Sequence, residues 1–330
     1  MKAAYINRTG GPEVIVYGEL PTPKPGRQQC LVKVAAVDVN PIDVYVRSGM
    51  VPGQLSFPFI LGRDLAGTVV ETGPDVKRFK PGDRVWGTNQ GFGNRPGTFA
   101  EFAAVDVQWL YPIPAGVSEE EAVAVSLVGV TAHLGLVQKA KVQAGDVVFV
   151  NGGAGGVGSC VVQMAKALGA RVIATAGSDE KVAACRPLGA DLAINYRTAD
   201  VAAAVKAFTP TGLNVWWETA REPDFDRAVS LLAARGRMVL MAGREARPPF
   251  PVGPFYVKDC SLHGFAMFNA TAAEMGAAAA DINRWLAEGK LKARIYRVLP
   301  LAQAAEAHRL QEESTVRQSG AVSGKIVLKV

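Results

Sequence analysis

Cysteine and histidine are scarce in this chain. Cys30, Cys160, Cys185 and Cys260 are its only four cysteines in 330 residues, and they stand far apart with no C-x-x-C spacing. That argues against a zinc knot, a redox pair or a disulfide framework, and leaves buried thiols as the expectation. The three histidines, His133, His263 and His308, do not cluster either. No uninterrupted apolar run is long enough to cross a bilayer, and no charged segment leading into an apolar stretch opens the chain, so a soluble, cytoplasmic protein without a membrane partner is expected. Lys and Arg outnumber Asp and Glu by 36 to 30 but never gather into a basic block, so no nucleic-acid partner is expected. The small positive excess could favour an anionic ligand such as a nucleotide, or reflect ordinary surface solvation.

What the chain does have is apolar content, 49% against 20% charged, enough for more than one core and hence two domains. Up to about residue 110 it reads as short strands and turns ("CLVKVAAVDV", "AGTVVETG", "GTFAEFAAV") with little helical periodicity. Ser118 with Glu121 fits a capping box and opens a helical stretch running through "GVTAHLGLV". A domain boundary is placed near residue 124. Strand and helix then alternate from "VVFV" to "RMVLMAG", the pattern of a parallel sheet covered on both faces. A second capping box at Thr271 and Glu274 starts another helix, and the closing "GKIVLKV" reads as a strand that returns to the first domain.

The most informative stretch is "NGGAGGVG", residues 151–158. It contains G-x-G-x-x-G at Gly153, Gly155 and Gly158, after an apolar strand and immediately before a helix, which is the context such a motif requires. The glycines allow a tight turn, close approach of backbone to a pyrophosphate, and close packing of helix on sheet. Gly153, Gly155, Gly156, Val157 and Gly158 are therefore expected to hold a dinucleotide at the helix N-terminus. A glycine-rich turn without a ligand is the alternative.

The next strand, "RVIATA", ends in Ala176, Gly177 and Ser178, where an NAD-binding protein usually offers an acid to the ribose. Asp179 and Glu180 are near, but they suit the first turn of the next helix, with Ser178 as its N-cap. Gly177, Ser178 and Lys181, which can reach back to the strand end, suit a 2′-phosphate better than a 2′-hydroxyl. NADPH (NADP+) is favoured over NADH.

With these features in place, the sequence resembles the medium-chain dehydrogenase/reductase superfamily, and within it the zinc-independent quinone oxidoreductases related to zeta-crystallin. The resemblance runs almost end to end through "VDVNPIDVYVRSG" (37–49), "FILGRDLAGTVVETGPDV" (59–76), "FKPGDRVWG" (79–87), "GTFAEF" (97–102), "GVTAHLGL" (129–136), "GGAGGVG" (152–158) and "GKIVL" (324–328). It implies an α/β chain with a GroES-like, β-rich catalytic domain from residues 1–124 and 266–330. Between them, residues 125–265 form a doubly wound parallel-sheet (Rossmann) domain, with the active site in a cleft. A homodimer is expected by resemblance.

Zinc-dependent relatives place Cys where this chain has Asn40 and His where it has Arg63, and carry a lobe of closely spaced cysteines that this sequence lacks. Neither Asn nor Arg is a normal zinc ligand, so no metal site is expected. What remains is hydride transfer from the nicotinamide to an electrophilic small molecule, a quinone or an α,β-unsaturated carbonyl. By resemblance, Asn40 lies near the nicotinamide and could donate to the acceptor's oxygen, and Tyr45 lines the same cleft and could hydrogen-bond or relay a proton. Asp43 and Arg47 are read as a structural ion pair with each other.

Further positions carry over singly. Thr131 matches a threonine facing the nicotinamide, or merely packs. Tyr196 matches the residue closing over the adenosine phosphate, or only packs at a strand end. Gly243 and Arg244 follow a strand at the carboxyl edge of the sheet, where dinucleotides lie. The segment containing Phe265 and Met267 is expected to brush the nicotinamide as the chain re-enters the catalytic domain, although an interdomain core strand would look the same. Two departures bear on substrate: "MVPG" puts Val51 where many relatives have a second tyrosine, and "WWETA" brings Trp217 and Ala220. A quinone reductase, a 2-enal or enone double-bond reductase, and a low-turnover NADPH-binding protein all stay open.

Overall fold

The computed structural model describes residues 1–51 and 55–330, so Pro52 and Gly53 of "MVPG" lie outside the described residues. Two compact units emerge: Met1–Leu127 with Thr271–Val330, and Val128–Ala270. The junctions fall a few residues beyond the expected 124 and 265. No helix among the described residues is long and apolar enough to cross a membrane.

The first unit is built on a mixed sheet whose strands run in the order Ile295–Pro300, Lys325–Lys329, Gln29–Val39, Leu65–Thr72, Arg84–Gly87 and Leu110–Pro112, with Phe102–Asp106 also pairing Gln29–Val39. The closing strand does return here. Ile326 pairs with Val39 and Leu328 with Val37 in antiparallel register. That β-branched, apolar strand is buried among the sheet's central members, as its composition dictates.

One element of this unit departs from expectation. "PIDVYVRS", within the stretch expected to hold short strands and turns, is the helix Pro41–Ser48. Pro41 suits the first helical position, the Asp43 carboxylate accepts the Asn40 backbone N–H at 2.8 Å, and Gly49 closes the helix in the left-handed region at φ 84°. A helix of two turns carries too few apolar repeats to stand out by periodicity.

In the second unit the parallel strands are ordered Leu192–Asn195, Arg171–Ala176, Val147–Val150, Leu213–Glu218, Leu232–Leu240 and Ser261–Gly264. In chain order that is 3-2-1-4-5-6, the doubly wound arrangement whose switch point lies beside the first strand. The core under the sheet packs Phe149, Ile173, Val205, Trp216 and Met238, with the Phe149 and Trp216 rings stacked at 4.1 Å. The sixth strand has no clear apolar alternation ("SLHG") and was not expected. The fifth strand begins at Leu232, directly after the helix Phe225–Leu231.

The helical stretch after Ser118 is also not continuous. Its capping box is present, with the Glu121 N–H donating to Ser118 Oγ at 3.2 Å, but the helix stops at Ala124 and resumes over Ser126–His133. A π-helical turn follows over Leu134–Lys139. Gly135 there lies against Trp217, and a Cβ on Gly135 would come within 2.3 Å of the indole.

Candidate functional site

The glycine loop joins the strand Val147–Val150 to the helix Gly156–Ala167, with Gly155 as an extended N-cap that offers no side-chain acceptor. Among the described residues, the first-turn amides of Gly156, Val157 and Gly158 therefore have no protein partner. Two glycines are demanded by the fold itself: a Cβ at Gly158 would fall 2.0 Å from the Gly152 carbonyl oxygen, and one at Gly153 2.7 Å from Ala174 Cβ. Gly155 differs, since its Cβ would meet only the Gly152 carbonyl oxygen at an ordinary 3.5 Å. Such a cradle of bare backbone and uncapped amides fits the pyrophosphate of a dinucleotide.

Sequence reasoning missed what holds this loop in place. Glu218, buried at the end of the fourth strand, accepts from Asn151 Nδ2 at 2.7 Å, from the Ala220 N–H at 2.7 Å and from Trp216 Nε1 at 3.0 Å. Asn151 in turn accepts from Thr175 Oγ1 at 2.9 Å, and Thr175 accepts from the Gly152 N–H at 3.3 Å. Burial pushes the Glu218 pKa up, against the pull of those donors. An acid closing the apolar run "VWWE" was the available signal. Asn151, Gly152, Thr175, Tyr196 and Thr219 line a recess of about 340 Å³ at this carboxyl edge.

At the end of the second strand, Ser178 caps the helix Asp179–Cys185 by accepting the Lys181 N–H at 3.3 Å. Tyr196, 48% exposed, brings its hydroxyl to 2.5 Å from where a Cβ on Gly177 would stand. Thr131 is buried within the helix Ser126–His133. Gly243 follows the fifth strand at φ 83°, where a Cβ would fall 2.6 Å from the Arg221 carbonyl oxygen, and Arg244 beside it is exposed. Phe265 follows the sixth strand and meets Trp217 edge-on at 6.4 Å, and buried Met267 opens a short 3-10 turn.

In the first unit Asn40 is 0% exposed and fully engaged. Its amide donates to Asp64 at 2.7 Å and to Asp38 at 3.3 Å, and its oxygen accepts from Lys325 Nζ at 2.5 Å. Lys325 also pairs with Asp38 at 2.8 Å and donates to the Val39 carbonyl at 3.1 Å. The expected Asp43–Arg47 ion pair does not form: Asp43 pairs with Arg63 at 3.3 Å, and Arg47 pairs with Glu312. On one short helix the side chains of residues 43 and 47 each meet a different neighbouring segment.

Three buried carboxyls thus face two cations in this cluster. Burial, then the neighbouring Asp38 carboxylate, raises the Asp64 pKa well above the usual carboxylate range. Burial likewise lifts Asp43 to about 6 despite Arg63. Tyr45, half-buried on the same helix, has no hydrogen-bond partner for its hydroxyl among the described residues.

A GroES-like β unit and a doubly wound unit with a dinucleotide loop define a nicotinamide-nucleotide-dependent dehydrogenase or reductase, and comparison with known proteins agrees. Residues 26–115 match the alcohol dehydrogenase GroES-like domain, and residues 156–283 match the zinc-binding dehydrogenase family. The quinone oxidoreductase of Homo sapiens is 31% identical, over 99% of this chain and 97% of its own length. Among solved structures, an NAD-dependent alcohol dehydrogenase superposes with TM-score 0.90 at 34% identity, and a mycobacterial protein complexed with NADPH with TM-score 0.85 at 31%, each covering 100% of both chains. The chain belongs to the medium-chain dehydrogenase/reductase superfamily, and it is an oxidoreductase.

Proposed function

We propose that this protein is an NADPH-dependent reductase that transfers hydride to a quinone without zinc. The observation that carries the reading is the bare, uncapped glycine cradle of residues 152–158 in a chain 31% identical over nearly its full length to a quinone oxidoreductase. When bound, the reduced nicotinamide supplies the hydride, and the quinone takes up that hydride and one proton to become a hydroquinone. Gly153, Gly155, Gly156, Val157 and Gly158 hold the pyrophosphate, and Gly243 and Arg244 extend the nucleotide site along the carboxyl edge. Thr131, Phe265 and Met267 pack against the nicotinamide half.

NADPH rather than NADH is supported by the strand end Ala176-Gly177-Ser178, which offers no acid to the ribose, with Lys181 and Tyr196 beside it. Reaction without metal is supported by the chemistry of the donor set. Asn40 and Arg63 stand at the positions where zinc-dependent relatives have ligands, and the Lys325 ammonium lies among the oxygens of Asp38, Asn40 and Val39. A guanidinium and an ammonium within such a cluster do not fit zinc.

Tyr45, whose hydroxyl has no partner among the described residues, donates to the acceptor or passes it a proton. Asn40 polarises the acceptor's oxygen by giving up its longer bond, to Asp38, while Asp64 and Lys325 keep the amide oriented. A homodimer in the cytoplasm belongs to the same proposal. The test is steady-state oxidation of NADPH against an ortho-quinone, a para-quinone and a medium-chain 2-enal. Turnover with a quinone supports the reading; turnover with the enal alone makes this a double-bond reductase; tight NADPH binding without turnover leaves a nucleotide-binding protein.

A further inference from the structure

At the strand end Ala176-Gly177-Ser178, a residue that the sequence motif did not single out has its charge uncommitted. Asn195 is the register partner of Ala176 on the neighbouring strand, and the chain turns immediately after it, the Thr198 and Ala199 N–H groups both donating to the Asn195 carbonyl. That turn carries Tyr196 and Arg197 over Gly177. From the position a Cβ on Gly177 would take, Tyr196 Oη lies at 2.5 Å and Arg197 Nε at 3.4 Å. Among the described residues, the Arg197 guanidinium has no hydrogen bond and no ion pair.

The Asp179 carboxylate, by contrast, is committed. Asn195 Nδ2 donates to Asp179 Oδ1 at 2.7 Å, and Asn195 Oδ1 accepts the Arg197 N–H at 3.1 Å. One amide therefore fixes both the backbone of the cationic residue and the carboxylate that could otherwise pair with its guanidinium or repel an anion. Arginine's planar fork suits phosphate oxygens bidentately. An exposed cation and a phenol converging on a residue without a side chain, where the adenosine ribose of a dinucleotide lies in this fold, form a seat for a phosphate monoester.

We propose that Arg197, with Tyr196, binds the 2′-phosphate of the cofactor, and that Asn195 keeps the seat open by holding the Asp179 carboxylate off it. The inference rests on the reading that the cofactor is NADPH. It makes Arg197 a specificity-determining residue and Asn195 a positioning residue, since Asn195 acts through Asp179 and the turn.

The test is calorimetric titration of the full-length protein with 2′,5′-ADP and with 5′-AMP, which isolates the 2′-phosphate and needs no turnover. The wild type is expected to bind 2′,5′-ADP more tightly. Arg197→Ala changes an exposed position, and 2′,5′-ADP affinity should fall about tenfold or more while 5′-AMP affinity moves less than about twofold. Arg197→Lys should recover part of the loss. Asn195→Ala should lower 2′,5′-ADP affinity selectively, and adding Asp179→Asn should restore it. A wild type that prefers 2′,5′-ADP with an unchanged preference in Arg197→Ala would overturn this assignment and leave the NADPH reading intact. A wild type with no preference would overturn both.

Discussion

Asn151, at the end of the first strand of the parallel sheet, donates to Glu218 at the end of the fourth at 2.7 Å, and so fixes the residue that leads into the glycine loop. Three donors converge on the two oxygens of Glu218. A glutamine there keeps one acceptor oxygen and turns an amide toward a donor. Glu218→Gln is expected to lower the unfolding free energy by about 1–3 kcal/mol and to weaken nucleotide binding several-fold. Urea denaturation with a parallel fluorescence titration checks both, and unchanged nucleotide affinity would remove Glu218 from the site's support.

The loop glycines separate into those the fold needs and one the ligand needs. Gly158→Ala would put a Cβ 2.0 Å from the Gly152 carbonyl oxygen, so a loss of several kcal/mol and of nucleotide binding is expected. Gly155→Ala meets that oxygen only at 3.5 Å, and its backbone lies in an ordinary extended region. It should melt within about 0.5 kcal/mol of the wild type yet bind NADPH at least tenfold more weakly. Equal thermal stability of the two variants would contradict the division.

His308 predicts an acid-sensitive component of stability. It is buried edge-on to Phe99, and burial, with Arg47 nearby, lowers its pKa to about 3. A histidine that stays neutral in the fold but protonates near 6.5 once unfolded contributes stability fully at neutral pH and loses it as pH falls from about 6.5 toward 3. At pH 5 that loss is about 2 kcal/mol. In His308→Leu the drop in stability between pH 7 and pH 5 should shrink by about that amount, as read from urea midpoints at the two values; an identical drop would show that His308 does not titrate on unfolding.

In the proposed reaction Asn40 joins chemistry to scaffold. Asn40→Ala is expected to reduce turnover about tenfold or more while NADPH affinity changes little. It also removes the Asn40 bond to Asp64 and one of the three polar contacts of Lys325, which keeps Asp38 and the Val39 carbonyl, so the melting temperature should fall as well, and kinetics belong well below it. Parallel loss of turnover and nucleotide affinity would count against a polarising role.

The doubly wound unit was legible because its signals are local: a glycine loop between apolar strand and helix, a cap at Ser178, and strands rich in β-branched residues. The helix Pro41–Ser48 and the strand Ser261–Gly264 were not, because each is too short to show its period. The partners of Asp43 and Arg47 come from residues 63 and 312, so nothing in their own short helix could reveal them. Arg197 escaped notice for a related reason: its position over Gly177 is created by strand pairing between residues 176 and 195.

The most direct test is the rate of NADPH oxidation by a quinone before and after exhaustive dialysis against a strong zinc chelator. Hydride transfer in a cluster already occupied by Lys325 and Arg63 predicts the same rate in both samples, within error, and no gain on adding zinc. Loss of activity on chelation, restored by zinc, would contradict the account.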